Sequence, residues 1–199
     1  VEPRSTAPGW QANNDLQLRT YNETGGILKK DTFIDVNSGG IYGWWGTVFS
    51  FSPNGQKIAY SRPDSIGLVD LESGSFLPIV SNKPLQTNGD WAWVSPISWS
   101  ENGDLIYIVT HKSNDSETSR EATPDFDLAT IISSSGEIIN LITNVGMFAT
   151  PVVSPEYEYY RSSVSYLQAI NPEDSEKSRY RVNVCDLDGS NQRVLYPSE

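Results

Sequence analysis

Apolar residues in this chain come in short runs of about four to six, each bounded by turn residues, and long runs rich in Ala, Leu, Glu and Lys are absent. The runs "KIAY", "LIYIV" and the one near Val164–Leu167 each follow a polar turn. So do "FLPIV", "IINLI" and "RVLYP", and between the two sets lie "GLVDL", "ATIIS" and "VNVCDL". They are rich in β-branched and aromatic residues, as half-buried and fully buried strands require. The pattern predicts an all-β protein of many short strands joined by turns.

The turns repeat. Phe51-Ser52-Pro53-Asn54-Gly55 is echoed by Trp99-Ser100-Glu101-Asn102-Gly103, and more weakly by Val153-Ser154-Pro155-Glu156-Tyr157. The three serines are 48 and 54 residues apart. A second signature follows each: an apolar run, a small polar turn with glycine, and another apolar run. Its glycines are Gly74, Gly136 and Gly189, and a further copy, "LQLRTYNETGGILKK", places Gly25 in the same phase. Each unit therefore reads as four strands, A to D, with tight A–B and C–D hairpins whose glycines supply the positive φ such turns need. A four-stranded unit recurring about every fifty residues is the period of a propeller blade. A β-sandwich also has short strands, but it need not repeat one turn chemistry at a fixed phase.

This reading predicts one propeller unit with strands C and D of a first blade (16–34) and complete blades at 44–81, 92–143 and 148–197. Three and a half blades fall short of a closed ring of about four to eight. The reading favoured is part of a larger propeller. The alternatives are closure of the half blade by the far C-terminus of a longer protein, or pairing of 16–34 with an unrecognised element.

"FSPNGQKIAY" and "VNVCDLDGSNQRVLYP" resemble the two halves of the TolB-type propeller repeat, over Phe49 to Pro197 with gaps. Two departures stand out: Glu101 replaces the turn proline, and Glu156-Tyr157 replaces the Asn-Gly pair, so the last A–B turn must take another geometry. The resemblance implies a propeller commonly exported in bacteria, periplasmic or envelope-associated, and active in protein interaction. Repeats of this kind also form the non-catalytic propellers of peptidases, so the fold does not by itself fix a function.

Phase points to candidate contacts. Seven residues before Ser52, Ser100 and Ser154 stand Trp45, Trp93 and Met147, with Trp44 and Trp91 beside the first two. In a ring these five large side chains either pack between blades or form an aromatic rim at the channel mouth for a peptide, glycan or protein. The B–C loops "HKSNDSETSREATPDFD" and "QAINPEDSEKSRY" are long and polar; loops of that length are functional or mobile.

Charge and chemistry narrow the picture. Fourteen basic against 25 acidic residues give a net charge of −11, without the basic footprint that nucleic-acid binding needs. One histidine and one cysteine make a structural zinc site untenable, and Cys185 in "RVNVCDL" reads as core filling. No apolar stretch approaches a membrane span. The start at Val1 suggests a processed or truncated product from which a secretory signal or lipid anchor has been removed. No Gly-x-Ser-x-Gly elbow or phosphate loop occurs, His111 stands outside any triad motif, and the pairs Asp125/Asp127 and Asp186/Asp188 lack the later ligands of a calcium loop. No catalytic residue, cofactor or metal is expected. The expected function is a non-catalytic binding or scaffold module for a protein partner or other ligand. The alternative is the propeller part of a larger peptidase- or lyase-like enzyme, gating or positioning substrate.

Overall fold

The computed structural model describes residues 2–3, 14–34, 47–82, 85, 93–112 and 125–197. Its strands form three four-stranded antiparallel sheets and one three-stranded sheet. In chain order they are β1 (Glu2–Pro3), β2 (Asn14–Tyr21), β3 (Ile27–Ile34), β4 (Val48–Phe51), β5 (Lys57–Ser61), β6 (Ser65–Asp70), β7 (Phe76–Ser81) and β8 (Ile97–Trp99). There follow β9 (Leu105–Lys112), β10 (Asp125–Ile132), β11 (Ile138–Ile142), β12 (Val152–Val153), β13 (Ser163–Ala169), β14 (Tyr180–Asp186) and β15 (Arg193–Tyr196). The sheets β4–β7, β8–β11 and β12–β15 each run in simple up-and-down order. The only helix among the described residues is one short turn at Pro172–Asp174. This is an all-β fold of propeller blades.

The first sheet has three strands. Its β2–β3 hairpin forms as the Gly25 turn predicts, and Glu2–Pro3 pairs with the free edge of β2. Two residues are too few for the hydrophobic pattern to reveal that short strand.

Alternation places each blade's core. In β5 and β6, Ala59, Ile66 and Leu68 face the next blade and pack on its Trp99, Ile106, Ile108, Ala129 and Ile131. The opposite face of the same strands carries Ile58, Tyr60 and Val69, with Tyr60 stacked on Phe76 at 5.0 Å between centroids. Between the last two blades, Tyr107, Val109 and Leu128 meet Val164, Tyr166 and Cys185. Burial of this kind, at about 25 cal/mol per Å² of apolar surface, is what holds blade to blade.

The short first strands converge, with β8 lying against both β4 and β12. Hydrogen bonds cross these seams: Trp99 Nε1 donates to the Ser50 carbonyl at 3.2 Å, and Val153 N donates to Ser98 Oγ at 3.2 Å. Trp99 is thus part of the core between blades. Cys185 is buried as well, and burial, then the neighbouring Asp186 and Asp188 carboxylates, push its thiol up to about 11. A thiol so protonated is core, not nucleophile.

Candidate functional site

The expected rim divides in two. Trp44, Trp45 and Trp91 lie outside the described residues. Trp93 and Met147, the phased pair in successive blades, are 3% and 4% exposed. They meet each other: Trp93 Nε1 donates to the Met147 carbonyl at 2.9 Å. The indole also packs edge-on to Phe126 at 5.0 Å and to His111 at 5.5 Å. Both residues are buried in the cluster between these blades. His111 is part of that aromatic cluster.

The long loop of the last blade is tied down rather than loose. Tyr180 Oη donates to the Ser175 carbonyl at 2.7 Å, and Ser175 Oγ accepts from Met147 N at 3.3 Å. The corresponding loop of the preceding blade, residues 113–124, lies outside the described residues.

The opposite face holds the A–B and C–D turns. In two blades the A–B turn is one device. Lys57 N and Leu105 N each donate at 2.9 Å to a serine hydroxyl five residues earlier, Ser52 and Ser100. Those hydroxyls donate onward to Asn54 and Asn102 Oδ1 at 2.8 and 2.7 Å. Gly55 and Gly103 take φ of 69° and 76°, a region that favours glycine. Serine closes the hairpin, asparagine supports its tip, and glycine turns the chain.

The last blade keeps the serine and loses the rest. Ser163 N donates to Ser154 Oγ at 2.9 Å, the same closure at the foot of β13, but nine residues separate the pair. Four extra residues are thus carried above an unchanged clamp. They form a miniature hairpin in which Tyr157 N donates to the Tyr160 carbonyl at 3.1 Å and Tyr160 N to the Tyr157 carbonyl at 2.6 Å. Glu158 and Tyr159 are its tip. Tyr157, Tyr159 and Tyr160 are 69%, 87% and 74% exposed.

Glu101 explains its own departure from the repeat. Its Oε2 accepts a hydrogen bond from Glu156 N at 2.6 Å, across 55 positions of sequence. The carboxylate that replaces a turn proline in one blade thereby anchors the insertion of the next. Such bonds to ionised acceptors are the shorter and stronger class.

A shallow depression of about 410 Å³ lies at the foot of the hairpin, lined by Glu156, Arg161, Ser162, Asp186, Leu187 and Asp188. The Ser190 hydroxyl and backbone N–H both bond Asp188 Oδ1, at 2.6 and 2.9 Å, and hold its carboxyl below the usual carboxylate range. Asp186 accepts from Asn191 Nδ2 at 2.7 Å. The Asp186/Asp188 pair therefore serves the C–D turn while keeping its charge at the surface. Asp127, by contrast, is buried and accepts from Asn144 N at 3.0 Å. Among the described residues no group of three acidic, histidine or cysteine side chains is placed to hold a metal ion.

The tyrosine hairpin, not the tryptophan phase, is thus the largest aromatic surface described. Its signal was present in sequence as the alternation "EYEYYR" and as the lengthened distance from Ser154 to the next strand.

No family model matches the chain, and no curated protein shows significant similarity to it. Among solved structures it is similar to a protein assigned as TolB from Agrobacterium tumefaciens, with a TM-score of 0.51 and 18% identity over 75% of this chain and 46% of that one. TolB from Acinetobacter baumannii gives a TM-score of 0.43 and 13% identity over 92% of this chain and 49% of that one. An oligogalacturonate lyase in complex with manganese gives 0.48 and 13% over 73% and 39%. The chain spans less than half the length of each of these proteins. At such identities the likeness concerns architecture alone, and it rests on the first of the three: the chain has a TolB-like β-propeller fold. No helix among the described residues is long and apolar enough to cross a membrane.

Proposed function

We propose that this chain is a non-catalytic propeller module that binds a protein partner, and that the Tyr157–Arg161 insertion is its contact surface. The observation that carries the reading is three exposed tyrosines on a hairpin whose base is fixed by Ser154 and Glu101. Aromatic side chains in water are poorly placed for stability and well placed for recognition, since they bring large contact area at low entropic cost. A rigid scaffold presenting a variable loop is the usual arrangement of a binding site. Residues 16–34 are read as a partial blade, and 44–81, 92–143 and 148–197 as complete blades, of one propeller related to the TolB-type repeats. Trp44, Trp45 and Trp91 are read as a second group of candidate contacts on the other face.

An exported or envelope-associated location goes with this reading, supported by the sequence resemblance. Fractionation of the source cells tests it: recovery in the cytosol alone would count against it.

The test of binding is comparative. The wild-type chain and a Tyr157→Ser, Tyr159→Ser, Tyr160→Ser variant are immobilised and exposed to an envelope extract of the source cells. Proteins retained by the first and lost from the second, with equal melting temperatures, support the reading. Identical retention by both would overturn it.

A further inference from the structure

We propose that the Tyr157–Arg161 hairpin and the depression at its foot receive a basic segment, an extended stretch of partner protein bearing lysine or arginine. This inference rests on the binding reading above and adds the chemistry of what is bound.

The surface itself defines that chemistry. Tyr157, Tyr159 and Tyr160 stand exposed, with no element among the described residues packed over them. A tyrosine face attracts a guanidinium or ammonium group, and the aliphatic stem of arginine or lysine covers the ring beneath its charge. On the hairpin and in the lining of the depression, carboxylates predominate among the described residues: Glu156, Glu158, Asp186 and Asp188 are exposed, and Arg161 is the cation beside them. Hydrogen bonds from Ser190 keep Asp188 ionised. The whole chain carries −11, so its long-range field favours a cationic partner over an anionic one. An acidic segment would meet four carboxylates, and an aliphatic one would strip water from them without return.

The shape fits a strand-like guest. The miniature hairpin rises beside the depression, and Glu101 holds its base to the neighbouring blade. The site is therefore a fixed edge with an acidic floor.

The experiment uses the whole chain and four probes: short capped peptides of Arg-Ser, Glu-Ser and Leu-Ser repeats, and a mixture of neutral and acidic oligosaccharides. Binding is followed by fluorescence polarisation at low and high salt. The Arg-Ser peptide is expected to bind, the Glu-Ser and Leu-Ser peptides not, and added salt to weaken the complex. Tyr159→Ala with Tyr160→Ala is expected to weaken it about tenfold or more, while Tyr159→Phe with Tyr160→Phe, which keeps the ring faces, stays close to wild type. Melting curves establish that each variant is folded. Equal binding of the Arg-Ser and Glu-Ser peptides, or full binding by the alanine variant, would overturn the proposal. Tyrosine-dependent retention of an oligosaccharide with no retention of Arg-Ser would replace it with a glycan site. If the chain retains envelope proteins through the tyrosines but not the Arg-Ser peptide, only this inference fails. If it retains nothing, the binding reading fails with it.

Discussion

Replacing Trp93 with alanine separates inter-blade packing from recognition at the phased positions. The indole is 3% exposed, packs against Phe126 and His111, and donates to the Met147 carbonyl. Removing it returns roughly 200 Å² of apolar burial, which at about 25 cal/mol per Å² is about 5 kcal/mol. Aromatic-to-alanine changes in cores cost about 3–5 kcal/mol, the remaining loss being set by how far the cavity collapses. The Met147 carbonyl is also left without its donor, so the upper half of that range is expected. For a domain of this size about 1 kcal/mol moves the melting temperature by about 2–4 °C, which makes the expected drop roughly 8–20 °C. Trp93→Phe keeps an aromatic ring against Phe126 but removes the N–H, and about 1–3 kcal/mol should be lost. Thermal and urea unfolding followed by tryptophan fluorescence and far-UV circular dichroism give both values. A melting temperature within about 2 °C of wild type for Trp93→Ala, with loss of a binding activity, would refute the packing account and restore the rim.

The remaining predictions concern the anchor and the buried thiol. Glu101→Ala removes the acceptor of Glu156 N–H at an exposed site, so global stability should fall by less than about 1 kcal/mol. Limited chymotrypsin digestion should nevertheless cut faster after Tyr157, Tyr159 or Tyr160, and unchanged cutting would show that Glu101 does not hold the hairpin. Cys185 should resist iodoacetamide in the folded protein and react only on unfolding; rapid native labelling would contradict its burial. Its thiol, raised from 9.0 to about 11, gives the sign of a pH effect. The unfolded chain loses that proton first, so the stabilisation is whole below about pH 9 and is lost as pH rises through about 11. Tyr60 and Tyr107, raised by burial from 10.0 to about 12, act in the same direction. Urea midpoints should therefore decline above about pH 9, and Cys185→Ala should soften the start of that decline.

Strand order and the inter-blade seams were legible because each blade repeats its own cues. The predicted "IINLI" is β11 residue for residue, and "KIAY" lacks only Ser61 of β5. Both follow from the glycine turn beside them and a short apolar run, which are local properties. The two-residue strand β1 was not legible in that way: two residues show no period, and no repeated turn marks it. The tryptophan phase was readable and its consequence was not. Equal phase in a repeat establishes an equivalent position in each blade, but burial of Trp93 depends on Met147 and Phe126 from other elements. The tyrosine hairpin was visible as a departure, yet its meaning needed structure. Only there does Ser154 keep its clamp across four added residues, and only there does Glu101 meet Glu156.

The central claim is that this insertion is a recognition device mounted on an otherwise ordinary blade turn. Its most direct test is to replace residues 155–162 with the Pro53-Asn54-Gly55-Gln56 segment, restoring the short turn between Ser154 and Ser163. Melting temperature and binding of the Arg-Ser peptide are then measured on the same sample. The account predicts a melting temperature equal to or above that of wild type and complete loss of binding. Unfolding of the grafted chain, or undiminished binding by it, would contradict the account.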